Sequence, residues 1–230
     1  MAVAHVFVAD LEAPELDEPD RHHLSHALRL RRGEEVTVSD GTGRWRRCRY
    51  TMGRPGAGGS TVALEPEGPV IYEEPPLPAV GVGFVVTKGS RPEWVVQKLT
   101  EVGVDRIVPL SSSRSVVRWD SARAERNIDR LRRVAREAAM QSRRNRLPEV
   151  TDLLPFADVA VAGAALAEAG GAAPSLERPF VLVGPEGGWD RTELARRLPL
   201  VGLGPNVLRA ETAAVAAGVL LCALRAGLVS

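Results

Sequence analysis

Cysteine is scarce in this 230-residue chain: Cys48 and Cys222 are the only two, far apart and without a C-x-x-C pair. That excludes a disulfide framework, a structural zinc site and a dithiol redox centre, and leaves two inert thiols. No run approaches the ~18 uninterrupted apolar residues of a membrane span. The nearest, Ala213 to Leu224, is too short and is broken by Gly218, so a buried helix is expected there. The first ten residues show neither a basic region nor a small-residue cleavage pattern. The expected location is therefore cytoplasmic.

Several chemical signatures are missing as well. No G-x-G-x-x-G or G-x-x-x-x-G-K-[ST] loop occurs, and Gly81-Val-Gly83 falls inside a strand-like run, which argues against dinucleotide or ATP phosphate cradles. H-E-x-x-H and G-x-S-x-G are also absent, so zinc-dependent and serine hydrolysis have no support. His22 and His26 have i, i+4 spacing but no carboxylate companion, and no metal is expected.

What is present is charge of both signs, 30 Lys/Arg against 29 Asp/Glu, with 44% hydrophobic residues. This composition excludes wholesale disorder and suits one large or two small domains. The charge is uneven: residues 1–75 hold nine arginines against thirteen carboxylates, and residues 76–230 hold 21 basic against 16 acidic side chains. A polyanion site must then be local.

Glu65 to Pro78 packs five prolines and four glutamates into 14 residues, which reads as an exposed linker and places a boundary near residue 75. Before it, His5–Val8, Glu35–Ser39, Trp45–Thr51 and Thr61–Leu64 read as short strands, with one helix over Pro19–Arg31 carrying Leu24, Ala27 and Leu28 inward. After it, Val80–Thr87, Pro92–Val102, Arg106–Leu110, Ala122–Arg146 and Phe180–Val183 alternate strand and helix, the pattern of a mostly parallel α/β sheet. The Ala/Gly-rich stretch Val159–Ala173 reads as a surface helix and loop.

Two strand–glycine loop–helix passages are candidates for ligand contact, because backbone N–H groups approach a ligand closely where no Cβ intervenes. The first runs through Gly184-Pro-Glu-Gly-Gly188 to Asp190-Arg-Thr-Glu193, a capping-box pattern. The second runs from Leu200–Leu203 through Gly204–Arg209 into Ala210–Arg225, a helix apolar nearly all round. A third signal is cationic. Between residues 126 and 146 eight arginines face only Asp129 and Glu137, with Arg114 and Arg118 just before them. A phosphate-bearing partner such as RNA suits guanidinium groups, which bind phosphate bidentately and stack on bases.

Four segments occur in order: Lys88-Gly-Ser-Arg-Pro-Glu-Trp-Val-Val-Gln-Lys-Leu-Thr-Glu-Val-Gly103, Glu137-Ala-Ala-Met-Gln-Ser-Arg-Arg144, Gly184-Pro-Glu-Gly-Gly188 and Leu203-Gly-Pro-Asn-Val-Leu-Arg-Ala-Glu-Thr-Ala213. With His22–Arg29 ahead of them, they resemble the 16S ribosomal RNA uridine-N3 methyltransferases of the SPOUT superfamily. The resemblance implies a PUA-like β-barrel over 1–75 and an α/β SPOUT domain over 76–230 with a C-terminal trefoil knot. It also implies a homodimer, S-adenosylmethionine as cofactor, and 16S ribosomal RNA in the 30S subunit as partner. The implied cofactor residues are Leu182, Val183, Gly184, Pro185, Glu186, Gly187, Leu203, Gly204, Val207, Leu208, Arg209, Glu211, Thr212 and Ala213. Arg209 is expected to stabilise charge on uracil, Gln141 to position RNA, and Glu101 or water to take the proton. RNA contacts are expected from Arg29, Arg31, Arg32, Lys88, Arg114, Arg126, Arg130, Arg133 and Arg144, with Arg44-Trp-Arg-Arg47 offering further cations and a stacking ring. Asn206 stands where these proteins usually have a basic residue, and Met140 where a polar one is common. Two other readings stay open: a SPOUT enzyme for another rRNA or tRNA nucleotide, and a noncatalytic RNA-binding assembly factor.

Overall fold

The computed structural model describes residues 4–22, 24, 25, 29–52 and 62–229. Contacts group the chain into two units, Met1–Pro75 with Ala139–Leu147, and Pro76–Ala138 with Pro148–Ser230.

The first unit is a four-stranded sheet in the order β1 (Ala4–Phe7), β2 (Glu35–Ser39), β3 (Arg44–Met52) and β4 (Val62–Tyr72). The first pair is parallel and the others antiparallel. Val6, Val36, Val38, Cys48, Tyr50 and Leu64 alternate onto one buried face, joined by Leu11, Leu16, Leu24 and Leu30. Burial pushes the Cys48 thiol up to about 11, so it is inert at neutral pH. Met140 packs against the same core, which accounts for an apolar residue there. Three sequence expectations change. Helix α1 covers Glu18–His22 and Leu24 is buried in the core as expected, but Arg29 has left-handed backbone (φ 51°), so the helix does not reach Arg31; His23, His26, Ala27 and Leu28 lie outside the described residues. The proline-rich stretch is not a linker up to Tyr72, because β4 runs through it with Pro66 opposite Cys48. An edge strand tolerates proline since one row of its N–H groups needs no ladder partner. Arg46 is not a free cation: it is buried and bound to Glu12 (2.8 Å) and to the carbonyls of Leu11 and Gly68.

His5 is buried in this unit, with Nδ1 2.8 Å from Thr37 Oγ1, and burial pushes its imidazole down to about 4. Folding therefore favours the neutral ring. The stabilisation is complete above about 6.5 and is lost as pH falls from there towards 4, where the unfolded chain alone gains the proton. Melting curves should show the midpoint falling across this window, and a shallower fall in His5→Gln.

The second unit is an all-parallel sheet in the order β11 (Leu200–Val201), β9 (Ala164–Ala172), β10 (Phe180–Val183), β5 (Gly81–Val85), β6 (Arg106–Ser111) and β7 (Glu149–Val150), with β8 (Leu154–Pro155) also paired to β6. Helices α2 (Arg91–Val102), α3 (Ser121–Ser142) and α6 (Ala210–Arg225) contribute to the core on one face through Val95, Leu99, Ile128, Leu131, Ala214 and Leu221. The other face is covered by Phe156 and Val159 of α4 (Phe156–Val159) and by Trp189. Helix α2 starts with Pro92 in its first turn and ends at Gly103 in left-handed conformation (φ 101°), as helix start and stop chemistry requires. Gly218 lets α6 press onto α2, because a Cβ there would lie 2.6 Å from Leu99 Cδ2.

The Ala/Gly-rich segment is a correction. It is β9, flanked on both sides by other strands, with Ala164, Ala165 and Leu166 buried. Alanine's helix propensity is a weak prior, and a crowded sheet that needs small side chains overrides it. The crowding is measurable. A Cβ on Gly171 would lie 2.6 Å from backbone atoms of Leu200 and Val201, and one on Gly202 would lie 2.8 Å from the Gly171 carbonyl oxygen.

Candidate active site

Strands β9, β10 and β11 lead into a cleft of about 230 Å³. Parallel strands of an open sheet place their following loops together at one edge, where α/β proteins bind ligands. The β10–α5 loop supplies Val183, Gly184, Pro185, Glu186, Gly188 and Trp189 to this cleft. The β11–α6 loop supplies Leu203, Gly204, Asn206, Val207 and Leu208, and α6 adds Ala210 and Ala213. Gly204 has φ 139°, and no atom lies within 4 Å of where its Cβ would stand. Gly187 and Gly188 are open in the same way. Gly184 has a different reason for lacking a side chain: its Cβ would lie 2.9 Å from the Trp189 indole.

The first loop is held at both ends. Asp190 caps α5 (Arg191–Leu194), accepting from the Thr192 and Glu193 amides at 2.7 and 2.9 Å, while Glu193 accepts from the Asp190 amide at 2.9 Å. The Thr192 hydroxyl above all, then the Glu193 amide, hold the Asp190 carboxyl far below the usual carboxylate range. Buried Glu193 uses its other oxygen to accept from the Ser113 amide at 2.9 Å. Arg114 donates to the Gly187 carbonyl at 2.7 Å, and Arg91 lies 3.5 Å from Glu186 and 3.6 Å from Glu211. Asp190→Ala should lower the melting temperature by a few degrees and loosen the loop. The cap's contribution is present above the ordinary aspartate pKa and disappears only as pH falls well below it, so the gap between variant and parent should persist at pH 4.

Of the residues expected at the cofactor, the structure brings together Val183, Gly184, Pro185, Glu186, Leu203, Gly204, Val207, Leu208 and Ala213. Leu182 does not belong with them: strand alternation turns it to the opposite face, fully buried beside Leu110 and Trp189. Gly187, Arg209, Glu211 and Thr212 neighbour the lining without being part of it. Arg209 is the N-cap of α6, exposed, with no ion-pair partner among the described residues, and both its chain neighbours line the cleft. Glu101 is placed elsewhere. It lies ten residues, about 15 Å of helix, beyond Arg91 and pairs with Lys98 at 2.8 Å, so it is no base for this cleft. Gln141 lies in the Ala139–Leu147 stretch of the first unit and does not line it. The sequence reading misses Ala167, Glu168 and Ala169, because β9 is mistaken for a surface helix, and Trp189.

The expected RNA contacts are dispersed. Arg126 and Arg133 are exposed on α3 without an ion-pair partner among the described residues, whereas Arg130 pairs with Glu93 at 3.2 Å. Arg29, Arg32 and Lys88 are exposed; Arg31 is exposed too, its amide bound by Glu34, and Arg144 is half-buried. Among the described residues no helix is long and apolar enough to cross a membrane, and no group of three His, Cys, Asp or Glu is placed to hold a metal.

A parallel sheet whose loops form a cleft at one edge, in a chain with a separate N-terminal β-sheet unit, defines a two-unit α/β protein of the ligand-binding class. A family model for an RNA methyltransferase domain matches residues 73–221, and one for an RNA methyltransferase PUA domain matches residues 16–55. The ribosomal RNA small subunit methyltransferase E of Mycobacterium bovis is 33% identical over 226 residues, covering 88% of this chain and 83% of its own. That of Bacillus subtilis is 28% identical, covering 84% and 82%. Among solved structures, a probable rRNA-methyltransferase from Porphyromonas gingivalis superposes with TM-score 0.81 at 25% identity, over 98% of this chain and 100% of its own. A ribosomal RNA small subunit methyltransferase E from Neisseria gonorrhoeae, bound to S-adenosyl methionine, gives 0.77 at 25% identity, over 96% and 97%. The chain belongs to the RNA methyltransferase family.

Proposed function

We propose that this protein transfers the methyl group of S-adenosylmethionine to N3 of a uridine in 16S ribosomal RNA, acting as a cytoplasmic homodimer on the 30S subunit. The observation that carries this reading is the cleft itself: two glycine loops with open Cα positions, apolar walls and the unpaired Arg209 at its edge. Relatives named for small-subunit rRNA methylation, one with S-adenosyl methionine bound, support it.

The residues present fit that cofactor. Val183, Leu203, Leu208 and Trp189 offer apolar surface to a purine, Gly204 and Gly188 leave backbone groups accessible, and Glu168 and Glu186 offer carboxylates to hydroxyl or ammonium groups. When bound, S-adenosylmethionine supplies a methyl carbon made electrophilic by its sulfonium. Uridine N3 is a poor nucleophile until its proton is lost, and water takes that proton. Arg209 stabilises the negative charge that the uracil gathers as that proton departs. Arg126 and Arg133 hold phosphates. The homodimer rests on α6 and the following residues, where Val219 and Leu228 stay exposed on an otherwise apolar segment.

The test is S-adenosylmethionine-dependent methyl incorporation into 30S subunits that lack their native modification, followed by nucleoside identification. N3-methyluridine is the expected product. A different methylated nucleoside overturns the target assignment, and absence of both incorporation and cofactor binding overturns the enzyme reading.

A further inference from the structure

The Lys88–Glu93 segment contributes to two separate features of the second unit. Arg91 pairs with Glu186 and Glu211 beside the cofactor cleft. Lys88, Pro92 and Glu93 instead line a second groove, about 570 Å³, together with Trp119 and the arginines 118, 123 and 130. Four cations thus meet one carboxylate, and that carboxylate is already paired with Arg130 at 3.2 Å. Lys88, Arg118 and Arg123 are exposed and have no ion-pair partner among the described residues. Arginines that serve only to keep a surface solvated gain nothing from lining a concavity, where they repel one another. One wall of the groove is aromatic: Trp119 packs partly on the core and also lines the groove. Glu93 adds a buried Oε2 with no hydrogen-bond partner among the described residues.

Cations unopposed in a hollow call for an anion, an aromatic face calls for a planar ring, and a free carboxylate oxygen calls for an N–H donor. An unpaired nucleotide satisfies all three with phosphate, base stack and base edge. Because the Lys88–Glu93 segment borders both sites, a nucleotide in the groove would neighbour the one at the cleft. We propose that this groove is a subsite for the unpaired nucleotide flanking the methylated one, its phosphate on Lys88, Arg118 and Arg123, its base against Trp119 and its edge donating to Glu93. This rests on the RNA-methylation reading above.

Kinetics on 30S subunits across a salt series, with cofactor affinity measured separately, test it. The exposed double variant Arg118→Ala/Arg123→Ala should lower kcat/KM about 10- to 100-fold, mainly through KM, and flatten the log–log salt slope by about two, with S-adenosylmethionine affinity unchanged. Trp119→Leu, which fills the packing site without a ring, should lose about 10-fold or more and Trp119→Phe should keep most of the activity, a contrast that separates stacking from packing. Unchanged kcat/KM and salt slope in the arginine variant, with the parent protein active, would overturn the subsite. So would a change of oligomeric state in that variant, which would give the groove to a second copy of the chain. If the parent protein methylates no RNA, the reading of the previous section fails. The groove is then judged by fluorescence anisotropy with a mixed-sequence single-stranded oligoribonucleotide, where equal binding by parent and arginine variant overturns it.

Discussion

Arg209→Ala will cut the rate of methyl transfer by about 10²- to 10³-fold while leaving S-adenosylmethionine affinity within about threefold, as expected for removal of one charge-stabilising donor. The prediction follows from position. Arg209 is the N-cap of α6 but makes no side-chain cap bond, so its removal takes away no hydrogen bond from the helix. Its guanidinium is exposed and unpaired by any carboxylate among the described residues, whereas the nearby Arg91 is engaged by Glu186 and Glu211. Leu208 and Ala210, on either side, line the cleft through groups the substitution leaves alone. Single-turnover rates and cofactor titration separate the two effects. A rate within threefold of the parent would remove Arg209 from the chemistry. Arg209→Lys should restore part of the rate, because a point charge replaces the fork without its geometry.

Gly171→Ala will be the most destabilising small substitution in the second unit, costing about 3 kcal/mol and weakening S-adenosylmethionine binding about tenfold or more. The new methyl would stand 2.6 Å from Leu200 and Val201 backbone atoms, where no rotamer change can relieve it. Strand β11 stands at the edge of the sheet, paired with β9 alone among the described residues, so it must shift away, and the loop that begins at Gly202 and bears Leu203 and Gly204 shifts with it. Thermal melts with and without cofactor measure both effects. A midpoint within a degree of the parent would show that the two backbones have room to spare.

Strands β5, β6 and β10 and helices α2 and α3 are visible in the sequence because each has a strong apolar period and local stop signals such as Gly103. Strand β9 is hidden because its alanines and glycines answer to the neighbouring backbones of β11 rather than to any local preference. The proline-rich β4 is hidden likewise, since only its place at the edge of the sheet makes its prolines harmless. At the cleft, residues on the glycine loops are readable as motifs. Glu168, which reaches the cleft from β9, has no motif and is found only in three dimensions. Arg46 and Glu101 carry the right chemistry for function, yet the fold commits one to Glu12 and two carbonyls and the other to Lys98.

The stretch Ala139–Leu147 bears on how these proteins can be recombined. It is distant in sequence from the first unit but completes it: the Asn145 carbonyl accepts from Ser39 Oγ and the Gly43 amide at 2.8 and 3.0 Å, the Leu147 amide donates to Gly41, and Met140 fills the core. A chimera spliced at Pro75 would inherit an N-terminal module with an unfilled hollow and an unanswered donor at the Gly43 amide. To exchange the PUA unit between relatives, an engineer has to transplant this nonapeptide with it, two cuts more than a linear map suggests.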